Sequence, residues 1–200
     1  MNLGQMRTAL DQLTGLGMDT SAQDAWINAA IQQISTEREW PWLDGTDSFS
    51  TVADTAEYAL PSDWAGTRSV TSSYGATYPP VPIRTGDDWD DWRDDYDYGF
   101  AIEGTNLVLY PTPTSVFTIK HRYIKTETAL SSDSDTPELP TEFHWAIIHL
   151  AAALTYDRLG QMPQAAAQRA LYDNYYRNML ARLSRARGPR RVRVRPGSGI

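Results

Sequence analysis

The sequence predicts an α+β fold, in which a four-helix body (two N-terminal, two C-terminal helices) carries an inserted antiparallel β-domain and ends in an extended C-terminal arm. Apolar residues recur at helical spacing near both ends of the chain, whereas the middle contains short β-branched runs separated by Pro, Gly, Asn and Asp. Residues 191–195, near the C-terminus, alternate Arg with Val. We therefore expect helical segments at residues 1–44 and 129–187, a β-domain at 45–128 and an arm at 188–200.

Apolar stripes and end signals predict the first two helices. The first stripe comprises Leu3, Met6, Leu10 and Leu13, and the glycines of TGLGMDTS interrupt the helix after it. The second stripe comprises Trp26, Ile27, Ala30, Ile31 and Ile34. Either Thr20 with Gln23 or Ser21 with Asp24 fits a capping box at the start of the second helix. This helix should end before Pro41, since proline disfavours helical geometry in the residue before it.

The β-domain is predicted from six short runs, which suggest about five or six strands. These runs are DSFSTV, RSVTSS, VPIRT, AIEG, NLVLY and VFTIKHRYIK. The segment GDDWDDWRDDYDYG lies between the third and fourth runs, and charged runs of this kind usually lie on a solvated surface. The alternative is an acidic surface that faces a basic partner or a DNA channel. Its candidate residues are Asp87, Asp88, Asp90, Asp91, Asp94 and Asp95.

Two further helices are predicted after the polar linker ALSSDSDTPELP. The third begins near Thr141, ends at Gly160 and is apolar on nearly all sides at its centre, so we expect it to be the most buried helix. The side chains expected to point into the core are Trp145, Ile148, Ala152 and Tyr156. Pro163 suits the first turn of the fourth helix. The apolar stripe of that helix is expected to comprise Leu171, Tyr172, Tyr175, Tyr176, Met179 and Leu183.

Charge is distributed unevenly along the chain. The net charge is −7, yet the residues from Arg182 to the C-terminus contain seven arginines and no acid. Residues 1–181 therefore hold 11 basic and all 25 acidic residues, a net charge of −14. This asymmetry favours an anionic partner for the C-terminus and disfavours close contact between nucleic acid and the remainder of the chain.

No catalytic or metal-binding pattern is apparent, and we predict a protein that is not an enzyme and has no cofactor. The chain has no cysteine, no phosphate-binding glycine loop and no nucleophile elbow. Glu142, His144 and His149 are close in sequence, but histidines five residues apart on a helix point about 140° apart and cannot share one ion. Glu142 suits a helix N-terminus, and His149 is expected to be a packed, hydrogen-bonded residue. His121 lies in a predicted strand without an evident partner.

The basic arm is the most unusual chemical feature of the sequence. As a strand, RRVRVR would place Arg191, Arg193 and Arg195 on one side and Val192 and Val194 on the other. Such an arm could add to the edge of a partner's sheet. Equally, it could be a disordered basic tail that attracts anions loosely. The candidate partner-binding residues are Arg185, Arg187, Arg190, Arg191, Val192, Arg193, Val194 and Arg195.

Several phrases, taken in order, resemble the head-to-tail connector, or adaptor, proteins of tailed bacteriophages. These are REWPWL, YALPSDW followed by RSV, IEGTNLVLYPTP followed by FTIKHRYI, and LSSDSDTPELPTEFHWAIIHLAAA. The resemblance covers residues from about 20 to 160. It implies a virion protein of the capsid–tail neck, assembled in the host cytoplasm.

The resemblance also implies partners. Proteins of this kind form a homo-oligomeric ring, often a dodecamer, beneath the portal protein. The ring extends the channel that DNA crosses without sequence-specific binding, and it meets the next connector, stopper or tail protein. C-terminal segments often reach toward the portal, which would give the arm a protein partner.

Two other functions remain open from the sequence alone. One is a nucleic-acid-binding module that acts through the segment from Arg182 to Arg195, with a steep dependence on salt. The other is a hydrolase that uses a carboxylate pair, supported only by the acidic segment and its aromatic residues.

Overall fold

The computed structural model describes residues 1–79 and 98–186, and it has the predicted α+β fold. The chain divides into two compact units. Of the described residues, the helical unit contains 1–34 and 129–186, and the β-unit contains 35–79 and 98–128. The predicted domain boundaries at residues 44, 128 and 187 stay predictions, and the arm lies outside the described residues.

Helix α1 spans Leu3–Thr14 and has well-defined ends. At its start, the Asn2 side chain accepts a hydrogen bond from the Gln5 N–H at 2.9 Å, and the Gln5 side chain accepts one from the Asn2 N–H at 3.0 Å. This reciprocal pair satisfies backbone donors that a helix leaves free. Gly15 ends the helix at φ +63°, a left-handed conformation in which glycine has no Cβ penalty.

Helix α2 spans Thr20–Glu37 and ends before Pro41, as predicted. Both predicted capping boxes were wrong. The cap is Asp19, whose carboxylate accepts a hydrogen bond from the Ala22 N–H at 2.7 Å. Thr20 is already helical, and the Asp24 carboxylate instead pairs with Arg7.

Helices α3 (His144–Arg158) and α4 (Met162–Ala186) form an antiparallel pair joined by a short turn at Gly160, where φ is +72°. A single 3₁₀ turn, Thr141–Phe143, precedes α3. Helix α3 buries ten of its 15 residues, and α1 packs against it from the opposite end of the sequence. It is thus the centre of the helical core, as its apolar composition predicted.

Two expectations about buried side chains in these helices were partly wrong. Ile148, Ala152 and Tyr156 are buried, but Trp145 is 43% exposed, and its ring packs against the half-buried His149. Helical spacing gives the direction of a side chain but not which neighbours cover it. In α4, Tyr172, Met179 and Leu183 are buried, whereas Leu171 is exposed and Tyr175 and Tyr176 are half-buried. Burial in α4 is thus limited to part of its predicted stripe.

The linker before α3 has no regular secondary structure, yet it is held firmly against the helices. The Asn28 side chain donates to the Leu130 carbonyl at 3.0 Å and accepts from the Leu130 N–H at 2.8 Å, as a neighbouring strand would. Arg7 binds Asp24 through Nε and Nη2 at 2.5 and 2.8 Å, and also pairs with Asp133 of the linker. These carboxylates raise the pKa of Arg7. The Arg7 side chain thus links α1 to both α2 and the linker.

The β-unit contains two antiparallel sheets in its described part. The four-stranded sheet has the order β1-β7-β3-β4, with β1 Asp44–Ser50, β3 Trp64–Ser72, β4 Thr77–Tyr78 and β7 Thr118–Lys125. The three-stranded sheet has the order β2-β6-β5, with β2 Glu57–Ala59, β5 Gly99–Glu103 and β6 Asn106–Tyr110. The predicted strand VPIRT lies outside the described residues. Strands β2 and β4 were not predicted, because runs of three and two residues are too short for a periodic signal.

The β-unit has an apolar core made by both sheets. Its buried members are Val70, Tyr78, Phe100, Leu107, Leu109 and Ile119. Further along the four-stranded sheet, the ring of Tyr123 lies directly over Gly45 of β1. A Cβ at position 45 would lie 2.6 Å from the Tyr123 Cζ, so this position requires glycine.

Candidate interaction surfaces

The three histidines have structural partners. His149 Nδ1 lies 2.8 Å from the Gln168 side-chain oxygen, and its ring stacks on Tyr175, in agreement with the prediction of a packed residue. His144 Nε2 donates to the Leu139 carbonyl at 2.8 Å. His121 Nε2 is hydrogen-bonded to the Thr67 hydroxyl at 2.9 Å, a partner that only strand pairing could reveal. Within residues 1–79 and 98–186, no three His, Cys, Asp or Glu side chains group as metal ligands would.

Burial keeps two of these histidines neutral. His121 and His144 are 1% and 3% exposed, and this burial lowers the pKa of each, because a charged imidazolium is poorly solvated inside the protein. Burial and a 2.9 Å hydrogen bond to Asp63 raise the pKa of Tyr123 to about 12. His121, His144 and Tyr123 are therefore all uncharged at neutral pH.

The sequence-predicted interaction residues lie almost wholly outside the described residues. All six candidate aspartates fall between residues 80 and 97, and Arg187, Arg190, Arg191, Val192, Arg193, Val194 and Arg195 fall beyond residue 186. Arg185 is in α4, but its side chain is not described. Arg182, which starts the basic region, pairs with Glu142 and lies 5.8 Å from the centre of the Phe143 ring. The first arginine of the basic region is thus held by the helical unit.

One surface of the four-stranded sheet combines two cations with many hydroxyl groups. Along β7, Thr118, Lys120 and Arg122 are exposed, and the residues between them are buried. The neighbouring strands place Ser or Thr beside them in register: Thr46 and Ser69 pair with Arg122, and Ser48 and Thr71 pair with Lys120. We call this surface, made by Thr46, Ser48, Ser69, Thr71, Lys120 and Arg122, the cationic sheet face.

Lys120 and Arg122 are not neutralised by the described residues. Neither side chain has a hydrogen bond or ion pair within residues 1–79 and 98–186, whereas Arg68 of β3 pairs with Glu39 and Asp44. Sequence reasoning missed this face: the spacing of Lys120 and Arg122 in TIKHRYIK places both on one side of a strand, but their hydroxyl neighbours come from other strands. Hydroxyl donors around two unpaired cations are suited to binding carboxylate or phosphate oxygens.

A second surface of the β-unit is a groove lined by aromatic rings and prolines. It has a volume of about 390 Å³, and Tyr74, which is 79% exposed, stands at its rim. Tyr74 packs against Phe117 at 5.8 Å, and Tyr78 packs against Tyr98 at 5.3 Å. Pro111 and Pro113 also line the groove. Rings and prolines of this kind are suited to apolar contacts with a partner chain.

The helical unit exposes apolar residues near the α1–α2 and α3–α4 loops. A pocket of about 220 Å³ is lined by Leu16, Met18, Trp26, Thr155, Arg158 and Leu159. Leu159 and the nearby Met162 are 53% and 59% exposed. None of the helices within the described ranges has the length and apolarity needed to cross a membrane.

The described residues thus present two candidate contact surfaces on the β-unit and one on the helical unit. The model of one family, described as SU10 adaptor protein, matches residues 1–195. The chain belongs to this family of phage head–tail adaptor proteins, which confirms the resemblance noted from the sequence. No curated protein matches the chain. The family assignment supports a virion component that interacts with other head or tail proteins and has a structural role.

Proposed function

We propose that the protein forms a homo-oligomeric ring beneath the portal, extends the DNA channel and joins the capsid to the tail. The observation that carries this proposal is the adaptor family match over residues 1–195, which includes both helical segments and the β-domain. The ring is proposed to be a dodecamer that meets the portal on one side and a connector, stopper or tail protein on the other.

Charge supports the role as a DNA conduit. Residues 1–181 carry a net charge of −14, and a wall with this charge repels the DNA backbone. Repulsion of this kind prevents DNA from adhering to the channel during passage. The six candidate aspartates between Asp87 and Asp95 are proposed to face the channel or a neighbouring protein.

The C-terminal arm is proposed to bind the portal or a neighbouring subunit. Its two valines would supply an apolar side and its arginines a charged side, the arrangement that a strand added to a partner's sheet needs. The variant Val192→Ser/Val194→Ser tests this directly, because it keeps every charge of the arm. We expect it to weaken binding to purified portal; unchanged binding would leave only electrostatic attraction.

Cryo-electron microscopy of phage particles tests the ring itself. We expect the chain in a ring between portal and tail, and light scattering should find either a ring-sized particle or a monomer that assembles on portal. The proposal would be contradicted if the chain never joined a purified portal or a particle. A version that ends at Ala186 separates the two parts of the claim, since it should keep its fold and lose arm-dependent binding.

A second candidate function is nucleic-acid binding through the arm. It is favoured by the seven arginines from Arg182 onward, which no acid accompanies. If the five arginines beyond residue 186 each contact a phosphate, the logarithm of the DNA affinity should fall with the logarithm of salt at a slope of about −4.5. The valine variant above should bind DNA normally, whereas the version that ends at Ala186 should not. DNA binding that is absent or insensitive to salt removes this candidate.

A further inference from the structure

The cationic sheet face has the chemistry of an anion-binding surface. Lys120 and Arg122 are two residues apart on one side of β7, so their Cα atoms are about 6.8 Å apart at the rise of an antiparallel strand. Hydroxyl residues flank both cations on β1 and β3. A ligand with anionic groups at a similar spacing could therefore bind both cations and the hydroxyl donors together.

From these observations we infer that the cationic sheet face binds the acidic segment, residues 80–97, of a second copy of this chain. The sequence of this segment contains seven aspartates and two arginines. Carboxylates occur two residues apart at Asp88 and Asp90 and again at Asp95 and Asp97. A bound peptide in extended form would present each such pair on one side at about 6.8 Å, the spacing of the two cations.

An acidic peptide suits this face better than DNA does. Two cations can neutralise only two phosphates, and contacts to six to ten phosphates are typical of proteins that bind DNA strongly. A long duplex would also extend past the face and meet the net negative charge of residues 1–181. A short acidic segment can reach the two cations and the hydroxyl groups without that wider repulsion.

Every chain carries both partners, so each copy can bind one neighbour through its face and another through its acidic segment. Two different surfaces that bind each other make a heterologous, head-to-tail contact, and such contacts close into rings when the rotation between copies permits. This inference rests on the proposed ring and identifies one contact that would hold neighbouring subunits together.

Peptide binding tests the inference without any need for assembly. A fluorescein-labelled peptide of residues 80–97 is titrated against the full chain, and anisotropy measures the affinity. We compare Lys120→Gln/Arg122→Gln with the control Arg38→Gln/Arg177→Gln, which makes the same charge change at exposed residues elsewhere. We expect the face variant to bind about tenfold more weakly, or about 1.4 kcal/mol, and the control to change by less than about twofold.

A second peptide and a DNA probe complete the test. The peptide with every aspartate changed to asparagine should not bind, since the attraction is between charges. No binding of the acidic peptide, or equal binding by the face variant, overturns the inference. The inference is also overturned if a short DNA duplex binds the protein as tightly as the acidic peptide does and the face variant loses this DNA binding, because the ligand would then be phosphate. A ring seen in particles together with a failed peptide titration would leave the adaptor role standing and remove only this contact.

Discussion

Replacing Gly45 with alanine tests the close contact between strand β1 and the ring of Tyr123 in the β-unit. The added Cβ would lie 2.6 Å from Cζ and 2.8 and 2.9 Å from the two Cε atoms of Tyr123, closer than real Cβ contacts. The ring must therefore move. Movement disturbs its stacking on His121, at a centroid distance of 5.3 Å, and its 2.9 Å hydrogen bond to Asp63.

The expected cost can be worked from these two effects. Overpacking a core typically costs about 1–3 kcal/mol, and a hydrogen bond to a charged group contributes about 1.5–3 kcal/mol. Because the ring can relax partly, we expect Gly45→Ala to lower the free energy of unfolding by about 2–4 kcal/mol. Urea unfolding followed by circular dichroism measures this change, and thermal melting should fall by roughly 2–4 °C per kcal/mol.

Gly66 of β3 provides a matched control in the same sheet. A Cβ there would meet only Ile124 Cδ1 at 3.8 Å, an ordinary contact, so Gly66→Ala should be neutral or stabilise by up to about 1 kcal/mol. In a double-mutant cycle, Gly45→Ala should cost little once Tyr123→Leu has removed the ring tip. Equal losses at the two glycines, or an undiminished loss in the Tyr123→Leu background, would refute the reasoning.

Three further predictions concern stability. Burial lowers the pKa of His121 and His144 below that of the unfolded chain, so their contribution to the free energy of unfolding is complete above about pH 6.5 and is lost as pH falls through their folded pKa values. Urea unfolding at stepped pH should show this loss. His121→Gln should reduce the slope of the free energy of unfolding against pH. Arg7→Met should destabilise the chain by about 2 kcal/mol, because it leaves two carboxylates without their cation; no change in urea midpoint would contradict this. Ile147→Ala in the core of α3 should cost about 2–5 kcal/mol, whereas Leu171→Ala on the exposed side of α4 should stay within about 0.5 kcal/mol; similar losses would disprove the burial argument.

Strong local signals made the helices predictable. Helix α2 ends before Pro41, and α3 begins after Pro140, because proline restricts the backbone at and before its own position. The stripe that includes Leu3, Met6 and Leu10 is buried as its spacing requires. The cap of α2 was misassigned because several neighbouring polar residues could cap equally well from the sequence; in the structure Asp19 accepts from the Ala22 N–H, and Asp24 pairs with Arg7.

The interaction surfaces were predictable only where charge was concentrated in the sequence. The acidic segment and the arm were evident as runs of like charge, although neither lies within the described residues. The cationic sheet face was not evident, because its members come from three strands that are far apart in the chain. The partner of His121 was missed for the same reason.

The sequence by itself determined the α+β class, the order of helices around an inserted β-domain, the contrast between acidic chain and basic C-terminus, and the adaptor family. Those properties depend on local spacing, composition and order. Only the tertiary structure decided which strands pair, why position 45 must be glycine, that Trp145 lies at the surface, and that Lys120 and Arg122 lie among hydroxyl groups. The physical reason is that register and burial depend on contacts between residues distant in sequence, which no local pattern specifies.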